Sequence, residues 1–509
     1  MFVVLFWICV HFLIIPLIIF ASVLLIIHLT VKKLEFLHKR YYKGIKTISF
    51  VHPFCSDCGG GEKVLWKMIT SLISYYKGNA SNNFQVQPDR RIKINVISGR
   101  NDNVLELKKK LKERFGIEFN KDNLNPNNGF LTEINNKVFI EVELISMRSG
   151  YMLRPKNFLT MFLQILGQMY FAFEIIANVY SDVYCDTTGL PFCYYILKYI
   201  GHAKVTAYTH YPFISYDMIN QVKHNIAGVH SRGLSSKFKI LKEIKLLYYK
   251  LILKVYEYMG NNCLSFAYVN STWTFNRMKE LWKKLYNKKC LHILYPPCSI
   301  SLYKEAAKNE ERENIIVSFA QFRPEKRQDM QIRILKKLRD IIKLKNYSEL
   351  EDLELHIIGG VRNSEDQKLY NDLINYARNL GVGEYVKFVP NGSISQITEE
   401  FSRAKIGIHT MVEEHFGITL IEMMAAGLIV ITHNSAGAKD DILVKRDNEI
   451  EPGFLVYDEN EYVEQIEGIL LNYYSIKNQL IRCSTERAEK FSDEAFTTKF
   501  LSQLKQFLF

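Results

Sequence analysis

The strongest constraint on this chain is a rhythm that runs twice. Strand-length apolar runs end in glycine or a polar residue, and stretches of helical periodicity follow them, which is the pattern of a parallel α/β sheet. The first pass begins at "KTISFVHPF" and "CGGGEKVLWKMITSLISYY" and continues through "IKINVIS", "DVYCDTTG" and "KVTAYTHYP". Pro296-Pro297 and the charged run "KEAAKNEERE" interrupt it. The second pass restarts at "NIIVSFAQF" and proceeds through "LELHIIGG", "YVKFVPNG", "KIGIHT" and "LIVITHNSAG". A length of 509 residues suits two domains, expected at 32–298 and 310–484, with a terminal helix at 485–509 free to pack back on the first. Ligands of such sheets bind at the carboxyl ends of strands, so the residues just past each strand are the candidates for chemistry.

The amino-terminal segment is of another kind. From Phe2 to Val31 there is no Asp, Glu, Lys or Arg. About 20 apolar residues cross a bilayer, so 1–31 is expected to be a transmembrane anchor. Lys32, Lys33, Lys39, Arg40 and Lys43 follow it, and a basic flank favours the cytosolic side for everything behind. Two more stretches are candidates for bilayer contact: 157–180, apolar nearly all round, and 237–260, basic and amphipathic. A core helix is the plain alternative for each.

Nine cysteines at no regular spacing suit a reducing compartment better than a disulfide framework. Cys55 and Cys58 form one C-x-x-C half-site with no second half, which reads as coincidence rather than zinc. The Asn-Ser-Thr sequon at Asn270 lies in an apolar setting and reads as a strand end. A net charge of +13 calls for an anionic partner. The basic residues are dispersed or flank apolar helices, and no nucleic-acid module is present, which leaves acidic lipid or a phosphorylated metabolite.

Three clusters carry candidate chemistry. Gly59, Gly60 and Gly61 stand between a strand and a helix, where backbone can approach an oxyanion at a helix N-terminus. Neither a Walker loop nor a spaced dinucleotide fingerprint follows, so a tight turn is the competing reading. Arg323 and Lys326 follow a strand end in "FAQFRPEKRQD" and are placed to clamp a diphosphate. The third cluster is "EEHFGITLIEMMAAG". A helix starting near Gly417 aims the amides of Gly417, Ile418 and Thr419 at an anion, with Glu414 just before it. Glu422 lies further along that helix among apolar residues, where a carboxylate is costly unless something donates to it. The vicinal hydroxyls of a ribose would do so; a buried salt bridge is the alternative.

The spaced glutamate pair, Glu414 and Glu422, resembles the signature of glycosyltransferase family 4, retaining enzymes of the GT-B fold with two Rossmann-like domains. "FVHPFCSDCGGGEKVLW", "THYPFIS", "VNSTWT", "YPPC", "QFRPEK", "HIIGG" and "HTMVEEHFG" resemble, within that family, the mannosyltransferases of the dolichol pathway. That resemblance implies α-1,2 transfer from GDP-mannose to a dolichol-diphosphate-linked oligosaccharide at the cytosolic face of the endoplasmic reticulum membrane. It implies catalytic roles for Glu414 beside the transferred sugar, His210 of "THYP", and Arg323 and Lys326 at the donor diphosphate. It assigns the ribose to Glu422 and the meeting point of donor and acceptor to Gly59, Gly60 and Gly61. Other mannosyltransferases of the pathway are implied partners. No metal cofactor is expected, because the chain has no Asp-x-Asp triplet. Two departures stand out: Gln321 where many members have arginine, and "NSAGA" at 434–438 where relatives usually read "NSGGP". Another family 4 enzyme of different sugar or linkage, or a silent scaffold of the same fold, are the alternatives.

Overall fold

The structure, a computed structural model, describes residues 15–57, 59–78, 90–119, 129–134, 138–154, 160–224, 239–444 and 451–508. Cys58, the Asn-rich segments around 79–89 and 120–128, and residues 1–14 of the expected anchor lie outside them.

Two sheets form, one for each pass of the rhythm. The first holds β1 (Lys46–Val51), β2 (Arg90–Ser98), β3 (Gly129–Ile134), β4 (Val138–Ser146), β5 (Val183–Asp186), β6 (Lys204–Thr209), β7 (Phe266–Val269) and β8 (Leu291–Ile293). Their order is β3-β4-β2-β1-β5-β6-β7-β8, parallel throughout except for the β3–β4 edge pair. The second sheet holds β9 (Glu313–Phe319), β10 (Glu354–Gly359), β11 (Val386–Pro390), β12 (Ala404–His409), β13 (Ile429–His433) and β14 (Phe454–Val456). Its order is β11-β10-β9-β12-β13-β14, and every pair is parallel. Helices cover both faces, so strands such as β5 and β12 are buried along their whole length, as near-continuous apolar runs require.

Six helices position the site and the surface. α1 (Ile15–Tyr41) runs ten residues beyond Val31, the expected end of the anchor, and packs on α3; Val31 itself is buried. α2 (Gly60–Lys77) follows the glycine loop, and α3 (Thr160–Asn178) is, among the described residues, the one helix long and apolar enough to cross a membrane. α4 (Lys239–Tyr258) buries Leu246, Tyr249, Ile252, Leu253 and Tyr256 and exposes Ile240, Ile244, Leu247 and Leu251. α5 (Ile418–Ala425) carries Glu422, and α6 (Asp493–Ser502) belongs to the chain's return to the first domain.

The single helix expected over 485–509 is broken. One helix ends at Glu489, α6 starts with Ser492 capping it through Ala495 N at 3.1 Å, and a short turn covers Leu504–Leu508. The break lets the chain cross between domains. Cys298 N–H donates to Phe491 O at 3.0 Å, so the outgoing and returning segments lie side by side. Phe496, Phe500 and Phe507 then join Trp66 and Leu65 in the first domain's core.

Arg312, 5% exposed, ties the second domain together. Its Nη1 donates to Phe401 O (2.9 Å) and Ala404 O (2.7 Å), and its Nη2 to Ala306 O (2.9 Å) and Ala426 O (2.8 Å). Two of those carbonyls end helices, where a cation is favoured. Arg312→Leu strands buried acceptors, each worth about 1–3 kcal/mol. We expect a clear drop in the unfolding midpoint of the second domain, measured by calorimetry, whereas Arg403→Leu at the exposed Glu313 pair should change it little.

Candidate active site

The site is built from strand ends that meet across the seam of the two domains. β1 delivers His52, β5 delivers Thr187 and β6 delivers His210, each just past its strand. Thr187 joins the histidines: its Oγ1 is 2.8 Å from His52 Nδ1, and its carbonyl accepts from His210 Nε2 at 3.2 Å. His52 Nε2 also lies 3.1 Å from Glu62 Oε1, while Glu62 Oε2 accepts the Gly59 N–H at 2.7 Å. The glycine loop is therefore held by a carboxylate of its own helix. A Cβ on Gly61 would stand 3.3 Å from His210 Nε2, and one on Gly60 would stand 3.1 Å from Ile418 Cδ1 of the other domain. These glycines serve close approach.

From the second domain, β12 ends at His409 and the chain turns sharply into α5. Glu413 takes a left-handed φ of 56° with its N–H on Ser435 Oγ at 2.8 Å. Glu414 then receives Lys326 Nζ at 2.5 Å and His409 Nε2 at 3.1 Å. Burial alone would raise its pKa, but His409 and Lys326 outweigh that and hold it well below the carboxylate range. Gly417, at φ 107°, lets the backbone turn into α5, and a Cβ there would lie 3.5 Å from Glu414 Cγ. Gly437 N–H donates to Glu414 O at 3.0 Å, and any side chain at Gly437 would overlap the His415 carbonyl, 2.5 Å away. In that 434–438 turn, Ala436 accepts a left-handed φ of 46°.

A cavity of 320 Å³ opens between the domains. Gly59, Gly60 and Lys63 line one side, and Gln321, Gly360, Asn391, Ile418, Thr419 and Glu422 the other. Glu422, 9% exposed, faces Lys63 Nζ of the first domain at 3.9 Å. Burial raises the Glu422 pKa and Lys63 works against that. The loops at Gly60–Gly61 and Gly417–Ile418 run from this cavity to His210 and Glu414, so one continuous seam carries both clusters. Arg323 does not join it: the side chain is 41% exposed and pairs with Glu325 at 3.8 Å, whereas Gln321 lines the cavity. Among the described residues, no group of three or more His, Cys, Asp or Glu side chains is placed to hold a metal ion.

Comparison with known proteins decides the family. The family description "ALG11 mannosyltransferase N-terminus" matches residues 45–282, and "Glycosyl transferases group 1" matches residues 300–490. The chain is 32% identical, over 91% of its length and 87% of the relative's, to the GDP-Man:Man(3)GlcNAc(2)-PP-Dol alpha-1,2-mannosyltransferase of Homo sapiens. The Dictyostelium discoideum protein of the same name is also 32% identical, covering 90% of this chain and 84% of its own. The chain belongs to this mannosyltransferase family. Its fold is shared with solved glycosyltransferase structures. Anabaena Alr3699/HepE in complex with UDP and glucose aligns over 90% of this chain and 99% of that one, with a TM-score of 0.55 at 14% identity. Sucrose-phosphate synthase from Thermosynechococcus elongatus aligns over 91% and 98%, with a TM-score of 0.58 at 13% identity. The two-domain GT-B fold follows.

Several residues of this mannosyltransferase's seam escaped sequence reasoning. Lys63 directly follows "GGGE", and His415 sits inside "EEHFG", yet neither type signals its role. His415 stacks on Tyr211 at 4.5 Å and lies 4.7 Å from the Trp273 ring, both in the first domain. Asp441 accepts from Thr272 N at 3.0 Å, Thr272 Oγ1 at 2.5 Å and Tyr295 OH at 2.9 Å, another pairing across domains. Asn270, just before it in the sequon, is buried past the end of β7.

Burial pushes His210 and His415 from 6.5 down to about 4. The folded site therefore refuses protons that the unfolded chain takes up as pH falls from 6.5 towards 4, and stability is lost across that window. Calorimetry at neutral pH and near pH 5 is expected to show the loss. His415→Gln should lose about 1 kcal/mol less than the parent protein over the same interval.

Proposed function

We propose that this protein is a retaining α-1,2-mannosyltransferase that moves mannose from GDP-mannose to a dolichol-diphosphate-linked oligosaccharide, adding the fourth and fifth mannoses. The named relatives act on such a donor and acceptor by their printed names. The observation that carries the reading is the seam itself: a buried glutamate, Glu422, in the wall of a 320 Å³ interdomain cavity, with the Lys326–Glu414–His409 cluster where the same loops lead.

In this reading the ribose hydroxyls donate to Glu422, and the diphosphate lies towards Lys326 and the first turn of α5. Glu414 faces the transferred mannose, with His210 opposite. The acceptor hydroxyl attacks C1 from the face on which the C1–O bond to GDP breaks, and its proton passes to a diphosphate oxygen. Negative charge then grows on GDP, where Lys326 and the α5 amides stabilise it. We assign that work to the side-chain cation and propose no metal. Burial and the neighbouring His52 keep His210 neutral near pH 7, so it can accept or donate a hydrogen bond without bringing positive charge to the sugar.

We further propose that the enzyme sits on the endoplasmic reticulum membrane with its catalytic domains in the cytosol. The exposed apolar faces of α3 (Phe162, Leu163, Leu166, Met169, Tyr170) and α4 support bilayer contact, as does α1 with exposed Leu25, Ile26 and Leu29.

Incubating the full-length protein in detergent with GDP-mannose and the Man(3)GlcNAc(2) lipid-linked acceptor, then weighing products by mass spectrometry, should show two added mannoses sensitive to an α-1,2-mannosidase. Transfer only from another nucleotide sugar would refute the reading. Lys326→Ala should lower kcat by about 100-fold, near 3 kcal/mol, with a smaller change in donor KM. EDTA should leave turnover intact; loss restored by Mn²⁺ would overturn the cationic mechanism.

A further inference from the structure

Away from the donor cavity the first domain holds a second opening, of 160 Å³. Ser215, Tyr216, Asp217, Asn276, Arg277 and Glu280 line it. We propose that this cavity is the acceptor subsite, which binds the sugar chain of the lipid-linked oligosaccharide between the point of transfer and the bilayer. The proposal rests on the transferase reading above.

Three observations converge on it. The first is chemical. The lining offers a guanidinium, an amide, a phenol, a hydroxyl and two carboxylates, so donors and acceptors are mixed, as a polyhydroxylated guest requires. Asp217 and Glu280 would repel a phosphate, and the lining has too few apolar groups for a lipid tail. Its volume exceeds what a lone water needs.

The second is the path inward. The Arg277 guanidinium lies 3.4 Å over the Trp273 ring. Trp273 is 4.7 Å from His415, which stacks on Tyr211 at 4.5 Å, and His415 is the residue after Glu414. Packed rings therefore tie the wall of the cavity to the residue next to Glu414, which sets the cavity beside the proposed point of transfer. Among the described residues, the one hydrogen bond of the Arg277 guanidinium runs from Nε to Asp217 Oδ2 at 2.8 Å, leaving its terminal N–H groups for a guest.

The third is the path outward. Tyr216 OH donates to Glu257 Oε1 of α4 at 2.6 Å, so the rim of the cavity is fastened to the helix with the exposed apolar stripe. An acceptor whose lipid stays in the bilayer must present its sugars along such a route.

The test uses full-length protein in detergent, GDP-mannose and the Man(3)GlcNAc(2) lipid-linked acceptor. Arg277→Ala is expected to raise acceptor KM by about tenfold or more, and Glu280→Gln by about threefold. Donor KM, and the slow hydrolysis of GDP-mannose without acceptor, should stay at parental values in both. Glu280 is exposed and its change preserves shape, so it decides the matter if Arg277→Ala lowers the melting midpoint. An acceptor KM within about twofold of the parent in Glu280→Gln, with Arg277→Ala either unchanged or unfolded, overturns the subsite. A parent protein that transfers no mannose from GDP-mannose sinks the function itself, a separate outcome.

Discussion

Carboxylates held in the seam between two domains set the terms for everything else here. An ionised carboxylate removed from water costs several kcal/mol unless donors replace the lost hydration. Glu414 finds its donors, Lys326 and His409, within its own domain. Asp441 and Glu422 do not. Asp441 takes the Thr272 N–H and hydroxyl and the Tyr295 hydroxyl, and Glu422 faces Lys63. Two seam acids thus depend on the opposite domain, which fixes how the domains meet. The acid assigned to the sugar depends only on its own, so its geometry survives small changes in that meeting.

The chain path reinforces this division. The outgoing segment at Cys298 and the returning one at Phe491 are joined side by side, and the return ends in the first domain's core through Phe496, Phe500 and Phe507. Lys67 pairs with Asp493 at 3.5 Å and Ser71 meets Thr497 at 3.0 Å, both on the helix that follows the glycine loop. The loop facing the interdomain cavity is therefore braced by the last stretch of sequence. Truncation of the carboxyl end would reach the site through α2 rather than through any residue that touches substrate.

The repeated strand–helix rhythm made both sheets legible, because parallel strands buried on two faces read as continuous apolar runs. The positions of Glu422 and the glycine loop at the cavity agree with the sequence pattern, although a salt bridge or a tight turn would read the same. The edge pair β3–β4 went unassigned, although "VFIEVELIS" alternates apolar and polar residues as a strand does. The partners across the seam were equally hidden. Lys63 and Asp441 look like ordinary surface charges, yet each is buried and meets a partner in the opposite domain. Arg323 and Lys326 part company in the structure. The turn at Pro324–Lys326 brings Lys326 to Glu414 and leaves Arg323 partly exposed beside Glu325.

Exposed apolar side chains divide between the domains in a way that bears on the order of events. Among the described residues, large exposed apolar groups gather on α1, α3 and α4 of the first domain. The second domain has Leu344, Val412, Tyr457, Leu471 and Tyr474, scattered singly. The bilayer contact proposed above therefore falls on the first domain. In the proposed reaction a lipid-linked acceptor and a soluble donor arrive from different phases. Lys63 and Glu422 face each other across the seam, so a ribose held by Glu422, as proposed, would lie against the helix that carries Lys63.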